Sequence, residues 1–453
     1  MVRDKGKIYV VIGNSAAGLS AIEAIRRVDR QSKIINISKE PHRPYSRCLL
    51  SYYLAGQYDR DILWIRGEDY YSKFNVEPLL NTEAAGVDVK NKTILTSNKK
   101  RIAFDKLLLA TGASAKSINV KGAEKRGVFT LRTIEDADGI LMELPRVKAA
   151  CVLGGGLIGM RAAYALKKRG VNVHVIVKSA HIFSQMLDVE AADMMRRHLE
   201  SGGIEISTTL EAKEILGRDS VEKILLDDGN SIDCQLVIVG KGVEANLDIV
   251  KGALKTNYGI LVDENLKTDK EGIFAAGDVA ECHDILEDRS NLNQIWPAAI
   301  RQGKAAGLNM AGEKARYEGT YGSNSLDFFG LGVMSFGVVK PRGAEPRTVP
   351  QSGTGTWVKP KGDGFEDLIS IDTARPSYRK IVLKDNRIVG GVLINDVERH
   401  GILLHLALQK IDVTDIKDIL VDEYFDFGKV IPLIKRQPAK FVRPEYVDVS
   451  ASY

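Results

Sequence analysis

Cys151-Val152-Leu153-Gly154-Gly155-Gly156-Leu157-Ile158-Gly159 is an apolar run that breaks into a complete G-x-G-x-x-G pattern. The run predicts a buried parallel strand, the glycines a tight turn, and a helix follows from about 158 to 168 with its N-terminus placed to face a pyrophosphate. Nearer the start, Lys7-Ile8-Tyr9-Val10-Val11-Ile12 and Gly13-Asn14-Ser15-Ala16-Ala17-Gly18 repeat the logic, with a helix from about 17 to 27. Gly13 permits the tight turn and Gly18 close packing of helix on strand. Ser15 stands at the middle glycine position and is small enough to let the backbone approach a phosphate. Two such units in one chain are far more specific than either alone, and they predict an α/β fold with two Rossmann-like dinucleotide-binding domains.

The residues after the second strand of each unit bear on nucleotide choice. Lys33-Ile34-Ile35-Asn36-Ile37 is followed by Ser38, with Glu40 the nearest acid, so Glu40 reads either as a ribose ligand or as a solvated loop charge. Val171 to Val177 ends without a carboxylate, and Lys178, Ser179 and His181 follow. A bidentate acid for the 2′-hydroxyl of NADH is missing there and Lys178 offers a cation for the 2′-phosphate of NADPH, which tilts the choice slightly toward NADPH. Elsewhere, alternation from Val76 to Phe104 predicts hairpins, and the buried strand from Asp105 ends in a small, accessible turn at Thr111-Gly112. The second domain closes on Gly240-Lys241-Gly242. The short strand Gly272 to Ala276 then places Asp278 just past its end, where an acid can hydrogen-bond a polyhydroxyl chain.

At 453 residues the chain is too long for one core, and about three domains are expected. We place a first domain at 1–146 and 268–319, a second at 147–267, an α+β C-terminal interface domain at 320–425 and a tail at 426–453, disordered or laid across a partner. Strands around 379–383 and 388–394 read as a hairpin, an amphipathic helix covers about 400 to 409, and 340–364 reads as a loop or hairpin excursion. The formal charge of +5 on 64 basic and 59 acidic residues makes no case for nucleic acid or a membrane surface. No apolar segment suits a leader or a membrane span, so no membrane insertion and a cytoplasmic location are expected. Four widely spaced cysteines, Cys48, Cys151, Cys234 and Cys282, give no iron–sulfur or zinc set and no disulfide framework. Cys151 and Cys234 read as core, and Cys282 beside His283 is a poor metal site; no metal is expected.

His42-Arg43-Pro44-Tyr45-Ser46-Arg47-Cys48-Leu49-Leu50-Ser51-Tyr52-Tyr53-Leu54 follows the first nucleotide unit by one short loop, where flavoproteins of two-dinucleotide architecture bring the chain alongside the isoalloxazine. Cys48 there is either a nucleophile, activated by Arg47, or a small residue that packs on the ring.

In order along the chain, Gly13 to Gly18, Ala110-Thr111-Gly112, Gly154 to Gly159 and Gly277-Asp278 resemble the motifs of the pyridine nucleotide–disulfide oxidoreductase family, over about residues 7 to 420. The resemblance implies FAD and NAD(P)H as cofactors. It implies that Gly13, Ser15 and Gly18 meet the FAD pyrophosphate and that Asp278 meets its ribityl chain. Trp296 to Gly303, Asn324-Ser325-Leu326 and Gly330-Leu331-Gly332-Val333 are similar to the NADH oxidase, rubredoxin reductase and nitrite reductase flavin-module branch. The paired cysteines and C-terminal His-Pro motif of glutathione reductase-like members are absent. Cys48 matches the redox thiol of coenzyme A-disulfide reductases and NADH oxidases, whereas Pro44-Tyr45-Ser46-Arg47 and Leu50-Ser51 resemble reductases that pass electrons to a separate iron–sulfur protein. Met160-Arg161 stands where many relatives carry a glutamate that orients the nicotinamide ribose, and Arg161 cannot accept those hydrogen bonds.

The resemblance therefore implies an FAD-dependent NAD(P)H oxidoreductase passing electrons to an iron–sulfur protein partner, as one subunit of a larger complex. A second reading is a single-cysteine enzyme, alone or as a homodimer, acting on a small disulfide, persulfide, peroxide or oxygen. A third is a flavin-containing docking subunit with a decayed NAD(P) site.

Overall fold

The computed structural model describes residues 6–341, 355–362 and 364–441. The fold is α/β and divides into two compact units. One is built from the chain up to Phe183 together with Leu199–Tyr321, the other from Ser184–His198 together with the chain from Gly322 on. Residues 184–198, placed within 147–267 on sequence, thus group with the C-terminal region.

The first unit holds two parallel sheets. In one, strand Ile8–Ile12 pairs with Lys33–Ile37 on one side and Lys106–Leu109 on the other, with Val76–Leu79 and Ile273–Ala275 at the edges. The strands are near-continuous apolar runs because both faces are covered, one by helix Ala16–Val28 and the other by the antiparallel strands that carry Val87, Ile94 and Ile102. Helix Ala16–Val28 buries Leu19, Ile22 and Ile25, each contributing roughly 1.5–3 kcal/mol of burial. Val76–Leu79, expected in a hairpin, instead extends this parallel sheet, since buried Val76 aligns with Ile34. The expected antiparallel pairing begins later, among Ala84–Asp88, Thr93–Thr96 and Arg101–Ala103. In the second sheet, Ala149–Leu153 lies between Asn172–Val177 and Leu236–Val239, flanked by Ile204–Thr208 and Val128–Phe129. Cys151 and Cys234 are fully buried in its core.

The second unit is built on a six-stranded antiparallel sheet in the order Ser323–Phe328, Leu331–Gly337, Arg387–Ile394, Ser377–Lys384, Phe365–Asp372 and Gly355–Gly362. The expected hairpin turns on Asp385-Asn386, both at positive φ (49° and 58°), the backbone of a two-residue turn matched to strand twist. Within the 340–364 excursion, Gly355–Gly362 is a strand, and 342–354 and 363 lie outside the described residues. Buried Lys380 bridges Asp188 (2.9 Å) and Asp367 (3.1 Å), and Tyr378 donates to Asp188 at 2.7 Å. Of the two readings of the tail, disorder is corrected as far as Phe441: short helices at Phe427–Val430, Ile431–Arg436 and Pro438–Phe441 form because Val430 and Leu433 find buried positions. Residues 442–453 lie outside the described residues.

Candidate active site

Both glycine turns have the shape a phosphate needs. Gly13 sits at φ +123°, and a Cβ on Gly18 would lie 2.0 Å from the Gly13 carbonyl, so only glycine brings helix and strand this close. Ser15 caps helix Ala16–Val28 without a side-chain hydrogen bond, and no acid stands in the first turn, which leaves the helix N-terminus open to an anion. At the second glycine turn, Gly154 (φ +126°) and Gly159, whose Cβ would meet the Gly154 carbonyl at 2.0 Å, repeat the device. Gly156 caps helix Leu157–Lys168 with nothing within 4 Å of its Cβ position. Both cradles fit a dinucleotide pyrophosphate on this geometry.

The Cys48 stretch is tethered to the first turn by Asn14, whose amide donates to the His42 carbonyl (3.2 Å) while Tyr71 donates to Asn14 Oδ1 (2.9 Å). Glu40 does not stand free. Tyr45 donates to its Oε2 at 2.5 Å and Arg47 pairs with its Oε1, so both carboxylate oxygens accept from the chain itself. Arg47 also donates to the Arg132 carbonyl at 2.7 Å. The expectation that Arg47 activates Cys48 is corrected here. Residues 47–49 form a 3₁₀ turn, which rotates successive side chains by about 120°, so Arg47 turns to Glu40 while the Cys48 thiol is exposed.

The cations that act on the thiol are Arg132 and Arg161, and the sequence reading missed Arg132. Its guanidinium pairs with Asp278 (2.8 Å) and donates to the Ala113 carbonyl (3.1 Å). The surrounding protein first, and Asp278 second, push the Cys48 thiol up against the pull of Arg132 and Arg161, and the balance lies upward. Asp278 itself follows Gly277, whose N–H donates to buried Gln302 (2.7 Å). Arg161 stacks over Tyr52 at 4.0 Å and donates to Ser51 at 3.2 Å, spanning from the second nucleotide helix to the Cys48 segment.

Asn246, also missed, stitches two crossings together. It accepts from the Thr111 hydroxyl (3.2 Å) through its carbonyl, donates to the Thr111 carbonyl (2.8 Å) through its amide, and donates its N–H to the Gly112 carbonyl (3.0 Å). Gly242 lies beside them, its carbonyl accepting from Lys116 N–H at 3.0 Å. The structure therefore gathers Gly13, Ser15 and Gly18 at one sheet end, and Cys48 with Asp278 and Arg132 nearby. Gly154, Gly156, Gly159 and Lys178 lie at the other sheet. Lys178 is not a free cation: it pairs with Glu211 at 2.8 Å. Cys282 is buried and accepts from Gln302, whereas His283 is half exposed beside Asp288.

Comparison with known proteins matches residues 7–303 to the family Pyridine nucleotide-disulphide oxidoreductase and residues 323–411 to Rubredoxin NAD+ reductase C-terminal domain. The chain is 33% identical to an NADH oxidase of Methanocaldococcus jannaschii over 72% of its own length and 76% of that protein's. It is 28% identical to the assimilatory nitrate reductase electron transfer subunit of Bacillus subtilis, covering 92% of this chain and 51% of that one. The chain thus spans about half the length of that relative. A NAD-dependent persulfide reductase from A. fulgidus superposes with a TM-score of 0.81 at 25% identity, covering 95% of this chain and 83% of that structure. Among the described residues, no helix is long and apolar enough to cross a membrane.

Proposed function

Because the chain belongs to the pyridine nucleotide-disulphide oxidoreductase family, we propose that it exchanges hydride with NAD(P)H and passes electrons to an iron–sulfur protein, as the flavin subunit of a larger redox complex. FAD and NAD(P)H are the cofactors of the family and of this chain. When bound, FAD supplies the conversion of a two-electron hydride into single electrons. We assign its pyrophosphate to Gly13, Ser15 and Gly18, its ribityl chain to Asp278, and its near surface to Thr111 and Gly112. The NAD(P)H pyrophosphate goes to Gly154, Gly156 and Gly159, with Gly242 alongside. On the same reading 1–146 and 268–319 hold FAD, 147–267 holds NAD(P)H, and 320–425 is the interface. Glu40 is a positioning residue that fixes Arg47 and Tyr45, and Arg132 orients the Asp278 carboxylate. The four free thiols suit a reducing, cytoplasmic setting.

The observation that carries this reading is the state of Cys48. Arg47, the adjacent cation, is committed to Glu40 and so is not spent on the thiol, and the surrounding protein and Asp278 push the thiol up, against thiolate. Electrons then leave toward an outside acceptor, in keeping with the electron transfer subunit and the rubredoxin reductase C-terminal domain among its likenesses. A second reading, a single-cysteine reductase of disulfides or persulfides, rests on the exposure of Cys48 and the similarity to the persulfide reductase. The test is anaerobic reduction of rubredoxin, coenzyme A disulfide and a small persulfide by the FAD-loaded chain with NADH or NADPH, in wild type and Cys48→Ser. Rubredoxin reduction that survives Cys48→Ser supports electron transfer. Reduction confined to the sulfur substrates and lost in Cys48→Ser replaces it with the thiol mechanism.

A further inference from the structure

The strand end that lacks an acid in sequence acquires one in space. Leu210 N–H donates to the Val177 carbonyl (3.2 Å) and Thr209 N–H to the Ser179 carbonyl (3.3 Å), so the chain after strand Ile204–Thr208 runs along the end of strand Asn172–Val177. This brings Glu211 to Lys178, with Nζ to Oε2 at 2.8 Å. Lys241, just past strand Leu236–Val239, holds Oε1 at 3.3 Å. Beside this clamp lies a pocket of about 330 Å³ lined by Leu153, Ile118, Val120, Ala212, Glu211 and Lys241.

The location carries weight. Leu153 ends strand Ala149–Leu153, which pairs with Leu236–Val239 on one side and Asn172–Val177 on the other, so the crossovers diverge at this point. Ligands of open α/β sheets bind in the crevice outside the carboxyl ends of the strands at such a switch point. The lining is mixed, with Lys116, Ser117 and Asn119 beside the aliphatic side chains that suit the faces of a purine, and the Glu211 carboxylate suits a vicinal diol.

We propose that Glu211, clamped between Lys178 and Lys241, accepts hydrogen bonds from the adenosine ribose hydroxyls of a pyridine nucleotide and makes the chain selective for NADH over NADPH. The inference rests on reading the Gly154–Gly159 turn as the nucleotide site. A carboxylate accepts from both hydroxyls of a diol, whereas a 2′-phosphate brings acceptors and negative charge against it with no proton to donate. The two lysines hold the Glu211 carboxyl below the usual carboxylate range, so it is ionised at neutral pH. Its side chain is 39% exposed, within reach of a ligand. The slight tilt toward NADPH drawn from Lys178 is thereby reversed, because that ammonium already faces an acid.

The test uses the full-length, FAD-loaded chain and two ligands without a nicotinamide, ADP-ribose and its 2′-phosphorylated form, with dissociation constants from calorimetry. No hydride transfer enters the readout. Wild type is expected to bind ADP-ribose at least ~10-fold tighter, and Glu211→Gln to lose ~10-fold or more of that affinity while improving for the phosphorylated form. A wild type that prefers the 2′-phosphorylated ligand, or a Glu211→Gln protein with an unchanged ratio, overturns the role of Glu211 while leaving the nucleotide site in place. Binding of neither ligand overturns the nucleotide site and the inference together.

Discussion

Alkylation of Cys48 as a function of pH gives a direct measure of whether this chain holds a thiol ready for catalysis. Cys48 is the exposed cysteine, whereas Cys151 and Cys234 are wholly buried and Cys282 is 4% exposed, so iodoacetamide in limiting amounts reports on one site. The surrounding protein and Asp278 raise its pKa above the ordinary value, which is about 8.5 for a free cysteine. At pH 7 the thiolate is then the minor form. Because the thiolate is the reactive form, the rate is expected to climb close to tenfold per unit between pH 6 and 8, without a plateau in that range. Mass spectrometry of the peptide carrying Cys48, taken over a short time course at each pH, reads the rate. A plateau beginning below pH 7 refutes the reasoning: it requires Arg132 and Arg161 to outweigh desolvation and Asp278, and it returns Cys48 to the position of a nucleophile.

Three other outcomes follow from the geometry. Lys380→Met removes the ammonium that bridges Asp188 and Asp367 and leaves buried carboxylates behind. The C-terminal unit should lose about 3–5 kcal/mol, read as hydrogen exchange of strands Ser377–Lys384 and Arg387–Ile394, and a loss under about 1 kcal/mol argues against the bridge. The same bridge sets an acid limit. Against desolvation, Lys380 and the hydrogen bonds to Asp188 depress its folded pKa below the unfolded value of about 3.9, so its stabilisation is complete above about pH 5 and is lost as pH falls through the folded value. Exchange protection of this sheet that is unchanged down to pH 2 contradicts that sign. Gly159→Ala places a Cβ 2.0 Å from the Gly154 carbonyl and should abolish NADH binding, measured by calorimetry, while flavin absorbance at the purified stoichiometry is retained. Loss of flavin with retention of NADH binding would exchange the two nucleotide assignments.

The two parallel sheets and their glycine turns were legible because each depends on a run of a few neighbouring residues: apolar strand, glycine at positive φ, small residue at the helix contact. Asp278 was legible for the same reason, as the acid that ends such a strand. What escaped were partners supplied from far along the chain. Arg132 reaches Asp278 across 146 positions and Asn246 reaches Thr111 across 135. Glu211 stands at the end of a strand it does not belong to. None of these carries a local pattern, since an arginine, an asparagine or a glutamate in a loop is on its own a solvated residue.

Arg47 fails in the opposite way, and the contrast shows where sequence proximity misleads. It is the immediate neighbour of Cys48, and adjacency alone suggested an ion pair with the thiolate. A 3₁₀ turn separates neighbouring side chains by a third of a rotation, so the direction of Arg47 is settled by what lies on its own side, the Glu40 carboxylate and the Arg132 carbonyl. The cations that act on the thiol come instead from far along the chain, Arg132 first and, on the helix of the second nucleotide unit, Arg161. Arg161 stands where a glutamate was expected, and its guanidinium lies against Tyr52 and Ser51, in the segment just after Cys48. Its positive charge favours thiolate at Cys48, while the closer packing of the site and Asp278 oppose it.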